Sequence, residues 1–362
     1  MATDHRPARQ RAVRDVLARD GLDALLVTHL PNIRYLTGFS GTAALLLVRP
    51  EEAVLVTDFR YAAQAPQEAG PTARVEIDRV SVWDRLARVL GGEGLGALGF
   101  EAHVTTVRDA ERISALGRFR TVPTSHVVER LRASKSPDEI VAIRAAVTLA
   151  QDAFAELLPT IAPGQTEIAI AARLESALRV RGSEWHPFPT IVASGPRAAL
   201  PHARTSSRTV GRGEWLLLDF GAQVDGYCAD LTRTVIVGAR ADDRQRAVYE
   251  LVRGSQARAL AHLTAGMTGR EGDALARDPI TSGGYGEAFG HSLGHGLGLE
   301  VHEAPRVAPT ANDPLPLHAV VTVEPGIYLP GWGGVRLEDD VYLGPNGPVC
   351  LSDNRTELIE LL

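Results

Sequence analysis

Residues 213–238, GEWLLLDFGAQVDGYCADLTRTVIVG, constrain the fold more than any other stretch of this 362-residue chain. Two apolar runs flank a turn near Val224, Asp225 and Gly226, so the segment reads as a β-hairpin. A two-residue loop at 224–225 places Asp219 opposite Asp230. A loop at 225–226 instead sets Asp219 opposite Thr232, with Asp230 one diagonal away on the same face. Directly opposed side chains start about 4.5–5.5 Å apart at Cβ, close enough to share metal ions. Two acids on one apolar face repel each other unless cations or protons neutralise them. The competing reading is a solvated hairpin whose aspartates merely flank the turn.

Other carboxylates stand in similar surroundings. HAVVTVEPGIYLP reads as a strand with Glu324 among valines, and Pro325 holds Glu324 extended at the strand's end. GGVRLEDDVYLG reads as one further strand, with Arg336, Glu338 and Asp340 on one face and Val335, Leu337 and Val341 among those on the other. A salt-bridged surface face would explain that strand equally well in isolation. The run FGHSLGHGLGLEVHE, residues 289–303, holds three of the chain's 11 histidines and four glycines. Four strand-borne acids with at least one imidazole balance two divalent cations. Such an oxygen-rich donor set suits Mn²⁺, Co²⁺, Fe²⁺ or Zn²⁺ without any thiolate. Two metals about 3.5–4 Å apart form the usual arrangement of two-metal hydrolases.

Composition narrows the setting. With 44% hydrophobic and 23% charged residues, the chain can bury a large core in two domains. A net charge of -6 and a pI near 6.0 leave no electrostatic footprint for nucleic acid. Cys228 and Cys350 are too few for a disulfide framework and suit a reducing compartment. The N-terminal stretch is polar and helical in pattern, without an apolar signal core. No apolar run approaches the ~20 residues of a membrane helix. The expectation is a cytoplasmic protein that binds neither nucleic acid nor membrane.

Along the chain, RQRAVRDVLARDG reads as a helix ending at Gly21, LDALLVT as a buried strand, and TAALLLVRPEEAVLVTD as two strands around a Pro-Glu-Glu turn. Gly94, Gly96 and Gly99 match a dinucleotide fingerprint in spacing. They precede the apolar ALGFE rather than follow a strand and open a helix, so they read as a connector. Ser136 and Glu139 have capping-box spacing around Pro137, which predicts a long helix from about residue 137. Further helices are expected at 167–181, 242–263 and 270–277. The domains are read as 1–130 and 131–362.

The motifs LLLDFGAQVDGYCADLTRT, HSLGHGLGLEVHE, TVEPGIY and GGVRLEDD resemble those of the pita-bread metallopeptidases, above all the Xaa-Pro dipeptidases and Xaa-Pro aminopeptidases. NIRYLTGFSGTAALLLV and VTDFRY resemble the creatinase-type N-terminal domain. The resemblance implies an α/β (α+β) fold with a creatinase-like N-terminal α/β domain and a C-terminal pita-bread catalytic domain. It implies two divalent metal ions, Mn²⁺ foremost and Co²⁺, Zn²⁺ or Fe²⁺ otherwise, on Asp219, Asp230, His295, Glu324 and Glu338. His202, His291 and His302 would serve substrate and protons, and Glu324 would also accept the proton of the attacking water. Arg306 and Arg336 would hold a substrate carboxylate; a surface role for Arg306 and an ion pair beside Glu338 for Arg336 are the alternatives.

The implied reaction is hydrolysis of the bond preceding proline in dipeptides, by a homodimer. Cleavage of longer Xaa-Pro peptides is the alternative. A creatinase-like hydrolase or non-catalytic binding protein on the same fold fits less well, because all five implied ligands are present. Two departures from the family pattern stand out. REGDALARDPITSGGYGEAF carries a proline followed by three glycines where relatives keep an uninterrupted helix, and LPLHAVVTVEPG lacks a usual glycine. Local loop differences are expected there.

Overall fold

The computed structural model describes residues 4–91, 94–353 and 356–362. The chain divides into two compact units between Arg132 and Ala133. No helix among the described residues is long and apolar enough to cross a membrane.

The N-terminal unit is built on a six-stranded mixed sheet in the order Arg74–Asp78, Ala53–Asp58, Ala44–Val48, Ala24–Val27, Ala97–Glu101 and Arg120–Thr124. The central strands are apolar on both faces and fully buried, as expected of a sheet covered by helices. The first helix, Arg6–Asp20, ends on Gly21 in the left-handed conformation, where the turn requires a residue without Cβ. Gly96 lies in the loop before the strand Ala97–Glu101, as the connector reading expects, whereas Gly99 lies inside that strand and is not part of the connector.

In the C-terminal unit, two helices, Pro137–Leu157 and Glu167–Val180, close one apolar cluster; two more, Asp243–His262 and Gly269–Ser282, close a second. The predicted capping box forms, with the Ser136 amide donating to the Glu139 carboxylate at 2.9 Å. The strand Glu214–Phe220 serves both clusters by alternation. Leu216, Leu218 and Phe220 pack into the first, Trp215 and Leu217 into the second. Asp219 has the parity of Trp215 and Leu217, which aims it at the second side.

Four strands, Ile359–Leu361, Leu231–Val237, Glu214–Phe220 and Ile191–Ser194, form one sheet in that order. Five others, Glu303–Val307, Gly294–Gly296, Val320–Val323, Asp339–Gly344 and Gly347–Cys350, form another.

Two expectations need correction. The segment 333–344 is not one strand. Gly333–Arg336 pairs with Gly326–Leu329, whereas Asp339–Gly344 joins the five-stranded sheet. Between them Glu338 forms a lone bridge to Thr232, its amide donating to the Thr232 carbonyl at 3.1 Å. The last helix is longer than 270–277 and carries Pro279 inside it. Its buried positions, Gly272, Asp273, Ala276 and Ile280, continue one face through the proline, and packing of that face outweighs one missing hydrogen bond.

Candidate metal centre

The hairpin register is the second of the two expected. Asp219 faces Thr232, and the turn falls on Asp225 and Gly226, with φ of 49° and 77°. Both central residues lie in the left-handed region, as a two-residue hairpin turn of primed type requires. Asp230 stands one diagonal from Asp219 and is buried, its amide donating to Asp340 Oδ2 at 3.1 Å.

The histidine run comes in from the other sheet. Gly294 crosses so close to the neighbouring strand that a Cβ there would collide with the Thr322 carbonyl, which explains the glycine before His295. His295 Nδ1 lies 3.1 Å from the Gly296 carbonyl, an arrangement that directs Nε2 at the acids. That Nε2 is 3.4 Å from Glu324 Oε1 and 3.8 Å from Asp230 Oδ2. Asp230, His295 and Glu338 each offer one donor atom within 4.8 Å of the others. Thr232 Oγ1 donates to Glu338 Oε2 at 2.6 Å, and Thr322 Oγ1 to Glu324 Oε1 at 3.2 Å. Thr232 and Thr322 therefore orient two of the carboxylates.

The electrostatics of this cluster are those of several acids crowded together and buried. Burial, then mutual repulsion, holds Asp230 and Glu338 well above the usual carboxylate range. Burial pushes Glu324 up to about 8. Asp219 is also raised by burial, although the buried Arg336 guanidinium opposes that rise. Asp219 Oδ1, Asp230 Oδ1 and Asp340 Oδ1 are buried without any hydrogen-bond partner. Orphaned carboxylate oxygens in a buried polar cluster demand a partner, and hard divalent cations satisfy that demand. The donor set therefore fits the metal ions that the motifs imply.

The remaining site residues separate into distinct environments. His291 has both ring nitrogens engaged, Nδ1 at 2.8 Å from the Ser292 carbonyl and Nε2 at 2.8 Å from the Tyr328 hydroxyl. Burial lowers its pKa to about 4, so it is neutral near pH 7. Its backbone is clamped by Arg277, which donates to the carbonyls of Phe289 and His291 at 2.8 and 2.6 Å and pairs with Asp273. The helix containing Pro279 thus positions the histidine run.

His302 is exposed, with its ring centroid 4.3 Å from that of His295. His202, exposed in the turn after Leu200, is close enough to Asp219 and His302 for their charges to interact. Arg306 is exposed on the strand Glu303–Val307, paired in register with His295.

Arg336 is buried and already committed. It donates to Thr232 Oγ1 at 3.1 Å, to the Pro201 carbonyl at 3.1 Å, to the Tyr328 hydroxyl at 2.9 Å and to Asp219. The ion pair considered for it does form, with Asp219 in place of Glu338. Sequence reasoning missed Tyr328, which links His291 to Arg336. The available signal was its place in TVEPGIY, four positions after Glu324.

Comparison with known proteins agrees with this architecture. Residues 141–345 match metallopeptidase family M24 and residues 9–134 match the Creatinase/Prolidase N-terminal domain. The chain belongs to metallopeptidase family M24, and the creatinase-type and pita-bread domains expected from the motifs are borne out.

Among relatives, it is 41% identical to the uncharacterized peptidase YqhT of Bacillus subtilis over 96% of this chain and 99% of that protein. Its structure superposes on an Xaa-Pro dipeptidase from Bacillus anthracis with a TM-score of 0.95 and 39% identity, covering 98% of this chain and 100% of that one. An X-Pro aminopeptidase from Thermotoga maritima matches with a TM-score of 0.90 and 36% identity, covering 97% and 99% of the two chains.

Proposed function

We propose that this protein hydrolyses the peptide bond preceding proline in Xaa-Pro dipeptides, with Asp219, Asp230, His295, Glu324 and Glu338 holding two divalent metal ions. The observation that carries the proposal is the convergence of Asp230, His295 and Glu338, from three distant segments, to within 4.8 Å in a field of buried, partnerless carboxylate oxygens. Bound there, the metals would supply Lewis acidity for polarising the scissile carbonyl and activating water. Mn²⁺ is the expected ion, with Co²⁺, Zn²⁺ and Fe²⁺ also suited to the donors. The family resemblance supports a homodimer, and the cysteine content supports a cytoplasmic setting.

Within that frame the chain's own residues divide the work. Glu324 accepts the proton lost by the attacking water. His202 and His302, exposed and electrostatically linked to Asp219, stabilise the developing oxyanion, and the proton taken up by Glu324 passes by way of His302 to the proline nitrogen as the C–N bond breaks. His291, with both nitrogens committed, positions Tyr328 and the Glu324 side of the site. Proline suits such a site because its tertiary amide offers no N–H to an ordinary peptidase cleft.

Arg306 is the better candidate for the substrate carboxylate, because Arg336 spends its donors on the protein. A buried arginine would reject tripeptides strongly. Arg306 is exposed, so its charge alone contributes about 0.2–1 kcal/mol, a preference of a few fold.

Comparing kcat/KM for Leu-Pro, Leu-Ala and Leu-Pro-Ala tests the reading. Leu-Pro should be cleaved best and Leu-Ala scarcely at all. Faster cleavage of the tripeptide would replace the dipeptidase reading by an aminopeptidase, and equal cleavage of Leu-Ala would remove the proline requirement.

A further inference from the structure

A second group of metal-binding side chains lies wholly within the N-terminal unit, and the register of its sheet brings the group together. Strands Ala97–Glu101 and Arg120–Thr124 run parallel, with Glu101 paired to Thr124. Their ends therefore stand side by side, and His103 and His126, each two residues beyond its strand, meet with ring centroids 4.3 Å apart. His126 takes the left-handed conformation, φ 55°, immediately before the helix Val127–Arg132. One turn later that helix presents Glu129 on the same side, since residues three apart share a helix face.

Glu129 is only half satisfied by the protein. Its Oε1 receives the Asn32 amide at 2.6 Å and lies 2.9 Å from His103 Nε2. Its Oε2 is buried and has no hydrogen-bond partner. A structural His–Glu pair would account for Oε1 but would leave Oε2 orphaned and the His126 ring without a task. The buried carboxylate of Glu101, which receives the same Asn32 amide at 2.6 Å, adds negative potential to the cluster. One donor atom from each of His103, His126 and Glu129 lies within 4.8 Å of the other two.

We propose that His103, His126 and Glu129 form a three-ligand site for a divalent transition metal, zinc by preference, independent of the carboxylate centre of the C-terminal unit. Two imidazoles and one carboxylate make a borderline-soft set that favours zinc over the harder ions suited to the oxygen-rich centre. Three protein ligands leave a position for water, and the metal would staple the turn after one strand to the first turn of the helix after its neighbour. Binding requires neutral imidazoles and an ionised carboxylate, so occupancy falls in acid.

The test uses the full chain, stripped by chelation and dialysed against micromolar free Zn²⁺, with zinc counted per chain. The His103→Ala/His126→Ala double variant and the near-isosteric Glu129→Gln variant should each hold one zinc fewer than the wild type. Both should keep wild-type kcat on Leu-Pro with Mn²⁺ added. The same difference of one zinc should persist in a Glu338→Ala background, which separates this site from the fate of the C-terminal reading. Equal zinc content in the wild type and in Glu129→Gln would overturn the proposal.

Discussion

The guanidinium of Arg336 donates to the carboxylate of Asp219, and both side chains are buried. This pair places one fixed cation against the anionic cluster formed by Asp230, Glu324 and Glu338. Arg336→Met should leave Asp219 as an unpaired buried charge, a loss of about 3–5 kcal/mol for a buried pair broken on one side. Metal ions supply countercharge to the same acids, so the loss should shrink when Mn²⁺ is present. Urea unfolding of wild type and variant, each with and without Mn²⁺, measures both values. Equal losses in the two conditions would show that Arg336 and the metals do not share Asp219.

Stability of the metal-free protein should fall as pH rises. Glu324 has a folded pKa of about 8 against an ordinary value of 4.5, and Asp230 and Glu338 are displaced upward as well. A carboxyl with a raised folded pKa binds its proton more tightly in the native state than in the unfolded one. Stability is therefore greatest near or below pH 4.5 for this group and declines until about pH 8. Melting temperatures measured in chelator between pH 7 and 8, above the range in which the depressed imidazoles of His291 and His295 act in the opposite sense, should drop, whereas saturating Mn²⁺ should flatten or reverse the slope. A rise in Tm across that window in chelator would contradict the assignment.

Tyr328 joins His291 and Arg336 through one hydroxyl, with hydrogen bonds of 2.8 and 2.9 Å. Tyr328→Phe removes both bonds while keeping the packed ring. The expected effect is a loss in kcat on the order of 10–100-fold, the usual consequence of removing a group that orients site residues. KM and metal content should change little. An unchanged kcat would mean that His291 and Arg336 hold their places without Tyr328.

The histidines should sort by what they touch. His295→Ala should lose metal, because its Nε2 faces Glu324 and Asp230. His202→Ala and His302→Ala should keep wild-type metal content and lose most of kcat. Retention of full metal by His295→Ala, with loss by His302→Ala, would mean that the neighbouring ring is the ligand.

Much of this arrangement was legible in the sequence, and the failures have physical causes. The capping box at Ser136 and Glu139 and the hairpin around Gly226 depend on local chemistry, which a sequence carries in full. Asp225-Gly226 is itself a strong signal for a primed two-residue turn, and giving it weight would have settled the register. The break within 333–344 is different. Inward and outward residues keep the same alternation on both sides of Leu337, so periodicity cannot reveal it. The bridge from Glu338 to Thr232, which closes that break, joins residues far apart in the chain. The continuation of the last helix through Pro279 likewise depends on tertiary packing of Ala276 and Ile280. Arg336 read as a substrate ligand because its contacts to Pro201, Thr232, Tyr328 and Asp219 come from four separate segments.

The central claim is that hydrolysis depends on metal held by the carboxylate cluster. Its most direct test is a titration of chelator-stripped protein with Mn²⁺, following Leu-Pro hydrolysis and bound metal together, with Glu338→Ala as the partner measurement. The account predicts no activity when stripped, full recovery as two equivalents bind, and no recovery in Glu338→Ala. Hydrolysis by the stripped protein, or wild-type activity in Glu338→Ala, would contradict it.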